Sequence, residues 1–267
     1  FFAAGAGNLI RTKLIKHHFT LFLNIAASIS ASCLIYAILL KLAILLFNIP
    51  SVHEAGYICS MLFIIPGFPF ITSGIDLAKL DIRSGIERLT YSAIIVLVAT
   101  VFAWIMALIL HLQPEEFSSL NIGNITHLIL RLTASFCGVF GFSIMFNSSI
   151  PMAATTAVIG AIANTLRLEL VDFTAIPAAA FIGAVTAGLL ASFIKKYNGY
   201  PRISLTVPSI VIMVPGLYLY RAIYNFGIMS LTEAVSWFTS AVMIIIALPL
   251  GLIFARIITD RTFRYCT

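Results

Sequence analysis

Apolar runs separated by short polar stretches make up nearly all of the chain. Runs of helical length fall at about 19–47, 55–75, 89–111, 126–146, 151–166, 173–194, 204–224 and 234–257. Most reach the roughly 20 residues an α-helix needs to cross about 30 Å of hydrocarbon. A further apolar fragment at 1–10 brings the predicted number of segments to nine. That fragment is too short to cross alone, and its basic residues follow the apolar part, the reverse of a signal peptide. It reads as the end of a helix whose beginning lies outside this chain. The polar breaks at 48–54, 112–125, 147–150 and 167–172 are short, and no long linker divides the chain. Because 151–166 is short and 147–150 tight, two helices or one kinked helix fit there.

Composition fixes the broad class. Of the 267 residues 61% are apolar and 10% charged, against about 25% charged in an ordinary soluble domain. Mean hydropathy is +1.07. These values predict an all-α polytopic membrane protein, for which the bilayer is the first partner. The net charge of +6 is accounted for by loop placement and implies no nucleic acid. Cys33, Cys59, Cys137 and Cys266 lack metal or redox spacing, and the first three read as small buried residues in apolar segments.

Loop charges predict the orientation. With helices alternating in direction, Arg11, Lys13, Lys16, Lys79, Arg83, Arg88, Lys195, Lys196, Arg202, Arg256, Arg261 and Arg264 gather on one side. Arg131, Arg167 and Arg221 fall toward the other side, along with Glu54, Glu115, Glu116, Glu169, Asp172 and Glu233. Lys41 lies inside the first long run and can snorkel outward. The positive-inside bias makes the richer side cytoplasmic and puts the C-terminus there.

Two of the runs are broken in the same way. IIPGFPFITSGIDL (64–77) and MVPGLYLYRAIYNF (213–226) each hold a Pro-Gly pair, followed nine residues after the Gly by Asp76 or Asn225. Proline removes a backbone donor and glycine adds slack, so both helices are expected to break there. The two runs lie five segments apart, an odd offset, so equivalent helices would point in opposite directions. GNLIR (7–11) and ANTLR (163–167) form a second echo at the same spacing. The pattern predicts two inverted-topology repeats of five transmembrane helices. The first, truncated at its N-terminus, covers 1–111 (a fragment of helix 2, then helices 3–5). An external loop occupies 112–125, and the second repeat, helices 6–10 with a cytoplasmic tail, covers 126–267. Interrupted helices in matching positions are a mark of secondary transporters, because freed backbone groups are tolerated at membrane depth only beside protein or a wet cavity.

LFIIPGFPFITSGIDLAKLDIRSGIERL and VPSIVIMVPGLYLYRAIY resemble the threonine/serine exporter family. The first matches its Pro-Gly-x-Pro, polar stretch, Asp and basic SG turn. The second resembles the part that some bacteria encode as a separate small subunit. The resemblance covers nearly the whole chain and implies ten helices in two halves. It also implies export of small polar metabolites across the bacterial inner membrane. Split members, which resemble this chain equally, are linked to succinate export. A soluble N-terminal region and first helix common in the family are not in this sequence.

The expected solute site collects Pro66, Gly67, Thr72, Ser73 and Asp76 from the first broken helix, and Pro215, Gly216, Tyr220, Arg221 and Asn225 from the second. Half-helix ends can hold the charged groups of a solute. Asp76 would pair with an ammonium or carry a proton; alternatively it is an interfacial acid balanced by Lys79 or Arg83. Arg221 would hold a carboxylate or snorkel to the outer surface. Asn225 stands where Asp76 stands in the repeat but is neutral. Tyr218 and Tyr220 read as interfacial belt residues or as pocket walls, with the belt preferred. Arg131, inside the 126–146 run, is a candidate anion contact or a snorkelling residue, since a charge at the bilayer centre costs about 2.5–3.5 kcal/mol. Asn8 and Asn164 are expected to bond across helices. His17 and His18 read as solvated surface histidines, and His53, His111 and His127 lie near the outer surface with no metal-ligand spacing.

No phosphate-cradling GxxxxGK[ST] loop occurs, so transport would be driven by an ion gradient, a proton being the first candidate. No cofactor is expected. Nor is an enzyme, since Ser, His and Asp lack a catalytic spacing. A channel or a structural subunit of a membrane complex remains as an alternative. The solute is threonine, serine or a C4 dicarboxylate, and self-association into a homo-oligomer stays open.

Overall fold

The structure is a computed structural model; it describes residues 1–47, 56–112, 123–261 and 263. His53, Glu54, Glu115, Glu116, Arg264 and Cys266, the 48–54 break and most of the 112–125 break lie outside the described residues.

Among the described residues the chain is helical, with no strand. The helices are α1 (Phe2–Lys16), α2 (Leu21–Phe47), α3 (Gly56–Met61), which runs into a 3-10 turn (Leu62–Ile64), α4 (Gly67–Ala78) and α5 (Ile82–Leu110), then α6 (Asn124–Met145), α7 (Ile150–Leu170), α8 (Ile176–Asn198), α9 (Arg202–Val211), α10 (Gly216–Gly227) and α11 (Leu231–Thr259). All nine expected segments are helical. α6 and α7 are separate, with Asn147 in the left-handed region (φ 58°) between them, so the kinked-helix reading of 147–150 is set aside. α5 starts at Ile82 rather than 89, which places Arg83 and Arg88 within the helix. α7 runs on through Arg167 to Leu170.

Five helices are long and apolar enough to cross a membrane, and up to seven candidate spans result if each interrupted pair is one span. α7 falls below that threshold. Its Thr155, Thr156, Asn164, Arg167 and Glu169 dilute its hydropathy, although 21 residues rise about 31 Å.

Both expected breaks are present. Ile65, before Pro66, is extended (φ −62°, ψ 122°), the conformation a following proline imposes, and α4 starts at Gly67. The second break leaves Ile212–Pro215 outside any helix before α10 starts at Gly216. The segments beyond the two breaks match in detail. α4 and α10 each have 12 residues, and α5 and α11 each have 29. In the turn after α4, Asp81 N–H donates to Asp76 C=O (3.0 Å) and Leu80 N–H to Leu77 C=O (3.1 Å). In the turn after α10, Ser230 N–H donates to Asn225 C=O (2.9 Å) and Met229 N–H to Phe226 C=O (3.2 Å). Leu80 and Met229 are both left-handed, at φ 64° and 63°.

The chain divides into two compact units, and each Pro-Gly dipeptide is a boundary: Phe1–Pro66, Tyr91–Leu120 and Gly216–Ala241 form unit 1, while Gly67–Thr90, Asn121–Pro215 and Val242–Thr267 form unit 2. Unit 1 has a core of Ile29, Cys33, Tyr57, Met61, Ala103 and Tyr220, each no more than 1% exposed. The Ser32 hydroxyl lies 3.1 Å from Ala3 C=O and 2.7 Å from Ser60 C=O, tying α2 to α1 and α3. A side chain at Gly7 would strike Ser32 and Phe63, so the small-residue run AAGAG lets α1 approach closely.

In unit 2 the same device recurs. Gly160 of α7 lies against Val139 of α6 and the Ser209 carbonyl of α9, and Gly251 of α11 against the Phe181 carbonyl of α8. Without water in the bilayer core, helices associate through such close packing and through side-chain hydrogen bonds. Asn164 Nδ2 donates to Ser135 Oγ at 2.8 Å between α7 and α6, as expected for an interhelical link. Cys33 is buried as expected, but Cys59 and Cys137 are exposed: each sits on the unpacked face of its helix, a position that apolar surroundings in the sequence do not reveal.

Candidate functional site

The eleven expected site residues divide between the units. Pro66, Gly216, Tyr220, Arg221 and Asn225 belong to unit 1; Gly67, Thr72, Ser73, Asp76, Arg131 and Pro215 belong to unit 2.

In unit 1, α10 packs on α3, and its first residue, Gly216, lies against Leu62 and Ile65 at the end of the interrupted α3. In unit 2, α4 packs on α9, and its first residue, Gly67, lies against Val211 and Val214 at the end of α9. Each half-helix therefore begins beside the broken end of the other interrupted helix. The amino-terminal turn of a helix leaves N–H groups without helical partners and carries partial positive charge.

Tyr220 is fully buried, and its hydroxyl is hydrogen-bonded to that of Tyr57 on α3, the rings meeting edge to face at 5.6 Å. The belt reading of Tyr220 is thereby corrected: α10 turns this face toward the core of unit 1. Arg221 lies over the ring of Trp237, 4.7 Å from its centroid, and Tyr218 meets that ring edge-on at 5.4 Å. A cation is attracted to the face of an indole ring, so Trp237 holds Arg221 in place. Asn225 is buried and donates to the Arg221 carbonyl one turn back, at 2.9 Å.

In unit 2, Thr72 and Ser73 are buried and bond within α4, to the Phe68 and Phe70 carbonyls at 3.1 and 2.8 Å. Asp76 is paired, but with Arg88 of α5 at 2.9 Å, not with Lys79 or Arg83; Arg83 pairs with Glu87 at 3.1 Å. The reason is helical: α5 starts early enough to carry Arg88 back beside α4. Arg131 is engaged by Glu169 of α7 at 2.8 Å. An interhelical ion pair therefore stands where a lone charge was expected.

A family model described as "Putative threonine/serine exporter" matches residues 1–111, and one described as "Threonine/Serine exporter, ThrE" matches residues 131–258. The chain belongs to the threonine/serine exporter family. No curated protein and no solved structure matched it. Membership, with the long apolar helices, points to a multi-pass membrane exporter rather than an enzyme. Among the described residues no group of His, Cys, Asp and Glu is placed to hold a metal.

One residue of this exporter-family chain carries no site role in the sequence reading. Arg11 was expected in a cytoplasmic loop, but it lies within α1. Its Nη1 points to the carbonyl of Phe63, at 3.5 Å, in the turn that enters the first break. Beside it is a cavity of about 390 Å³ lined also by Asn24, Tyr91 and His18. In unit 2, Gly183 of α8 approaches both Arg167 and Met213, the latter within the second break. Arg11 and Arg167 are the arginines of the GNLIR and ANTLR echo. That echo is the signal in the sequence, carried by its arginines as well as its asparagines.

Proposed function

We propose that this protein is a secondary transporter that exports threonine and serine across the bacterial inner membrane by alternating access. An ion gradient drives it, with the proton as coupling ion. The observation that carries the reading is the pair of matched helix breaks, each presenting the first turn of a half-helix beside the broken end of the other interrupted helix. Such ends bind small charged groups in transporters built from inverted repeats. The equal lengths of α4 and α10 and of α5 and α11, with their matched turns, support two five-helix inverted repeats. Six of the cations assigned to the basic side line one cleft in unit 2, which supports their sharing the cytoplasmic face with the C-terminus.

In this reading each break binds solute groups within its own unit: Gly67 and Pro215 backbone with Thr72 and Ser73 in unit 2, and Pro66 and Gly216 backbone with Asn225 in unit 1, where the buried Tyr220 positions α10. Asp76 and Arg221 supply charge. A C4 dicarboxylate is the second reading, and one observation favours it. Asp76 already faces a guanidinium, which leaves less of its charge for an ammonium, and Arg11 adds a cation at the first break.

The test uses the full chain in liposomes. Entry of labelled threonine into serine-loaded vesicles, and of labelled succinate into succinate-loaded ones, is compared with that in Asp76→Ala. Threonine exchange lost in the variant supports the amino-acid carrier. Succinate exchange alone selects the dicarboxylate reading. Entry of neither solute above empty liposomes overturns both.

A further inference from the structure

We propose that unit 2 carries a binding site for the phosphate headgroup of an anionic phospholipid, at the ends of α4, α8, α9 and α11. A cleft of about 850 Å³ is lined there by Lys79, Lys195, Lys196, Arg202, Arg256 and Arg261, with Asp260 as the one acidic residue among its lining. These cations come from the ends of four helices, and the fold converges them on one volume. Unlike charges spread along loops, they repel one another, so each gains when an anion enters.

Two of them are fixed in place. Arg202 Nη1 donates to Thr259 Oγ1 at 2.8 Å, and its Nη2 to the Gly188 carbonyl at 3.4 Å. Arg256 pairs with Asp260 at 3.4 Å and lies over the ring of Phe263, 4.2 Å from the centroid. Lys79, Lys195, Lys196 and Arg261 are exposed and supply movable donors around this rigid base. α8 ends on Gly199 in the left-handed conformation (φ 67°), and α9 starts three residues later with no side-chain cap, so its first turn opens beside Arg202.

The rest of the wall decides between a free anion and a lipid. Leu252, Ile253 and Ile203 line the same cleft, and apolar walls next to a cationic mouth suit a molecule that is charged at one end and hydrocarbon at the other. Basic pockets between membrane helices take acidic headgroups for this reason. A succinate or phosphate ion would use the cations and leave the apolar wall wet.

The experiment places the purified full chain in nanodiscs of phosphatidylcholine, with or without phosphatidylglycerol, and follows thermal unfolding together with lipids retained in native mass spectrometry. Phosphatidylglycerol is expected to raise the midpoint and to be retained selectively. The Lys79→Gln/Lys195→Gln/Lys196→Gln variant alters exposed side chains only and is expected to weaken that retention about tenfold or more. Equal retention of both lipids by the unaltered protein overturns the proposal. So does undiminished selectivity in the variant, or equal protection by inorganic phosphate in pure phosphatidylcholine, which would make the ligand a soluble anion. Since no transport is measured, failure here leaves the exporter reading intact.

Discussion

The hydroxyls of Tyr57 and Tyr220 are hydrogen-bonded to each other in the core of unit 1, joining α3 of the first interrupted helix to α10 of the second. Replacing either with Phe leaves the other hydroxyl buried without this partner. Each single variant should lose about 0.6–2 kcal/mol of stability. The double variant should lose no more than either alone, because the second substitution removes the group the first left stranded. Denaturant titration of the four proteins checks this, and additive losses would show that the two hydroxyls do not depend on each other.

Asp76 and Arg88 form an ion pair in which the arginine side chain is 50% exposed and the aspartate 19%. Solvent at the arginine limits the pair to roughly 0–1 kcal/mol, too little to explain an acid at that position by stability alone. Arg88→Gln should therefore leave the protein folded, while Asp76→Asn abolishes exchange. Combining Asp76→Arg with Arg88→Asp restores the pair but should leave exchange lost. Recovery of exchange in that reversed pair would reduce Asp76 to a structural partner.

Close helix approach in unit 2 gives a contrast between two glycines. A Cβ at Gly160 would lie 2.6 Å from Val139 Cγ2 and 2.8 Å from the Ser209 carbonyl, whereas nothing lies within 4 Å of one at Gly141. The carbonyl is backbone and cannot turn aside, so Gly160→Ala should cost about 1–3 kcal/mol. Gly141→Ala should be neutral or stabilise by up to about 1 kcal/mol through helix propensity. Equal midpoints for the two would mean that α6, α7 and α9 are not packed as described.

Much of this architecture was legible because bilayer physics writes it into composition. Apolar runs of about the right length, Pro-Gly in two of them, and the positions of both breaks all came from local chemistry. Pairing did not. The partner of Asp76 depended on α5 starting at Ile82, a boundary that Ile82–Leu89, with Arg83, Glu87 and Arg88 among apolar residues, blurs. Tyr220 looked interfacial because a tyrosine serves equally at a membrane surface and in a core when its hydroxyl has a partner. That partner, Tyr57, is distant in sequence. Arg131 and Glu169 were each read alone for the same reason: ion pairs between helices have no fixed spacing.

Arg11 gives the sharpest test of the first break. A part-buried guanidinium needs an acceptor, and at 3.5 Å the Phe63 carbonyl is a distant one. The adjoining cavity of about 390 Å³ is large enough for a solute of threonine or succinate size, whose carboxylate would complete the coordination of Arg11 as a bidentate acceptor. Arg11→Gln is therefore expected to raise KM for the exchanged solute by about tenfold or more, the scale of one charge-assisted hydrogen bond, with less change in the maximal rate. Arg11→Lys keeps the charge without the fork and should fall between. A residue that only caps Phe63 would behave differently: both variants would unfold more readily while KM stayed unchanged. Measuring exchange against solute concentration alongside unfolding midpoints separates the two, and an unaltered KM in a folded Arg11→Gln would remove Arg11 from the solute path.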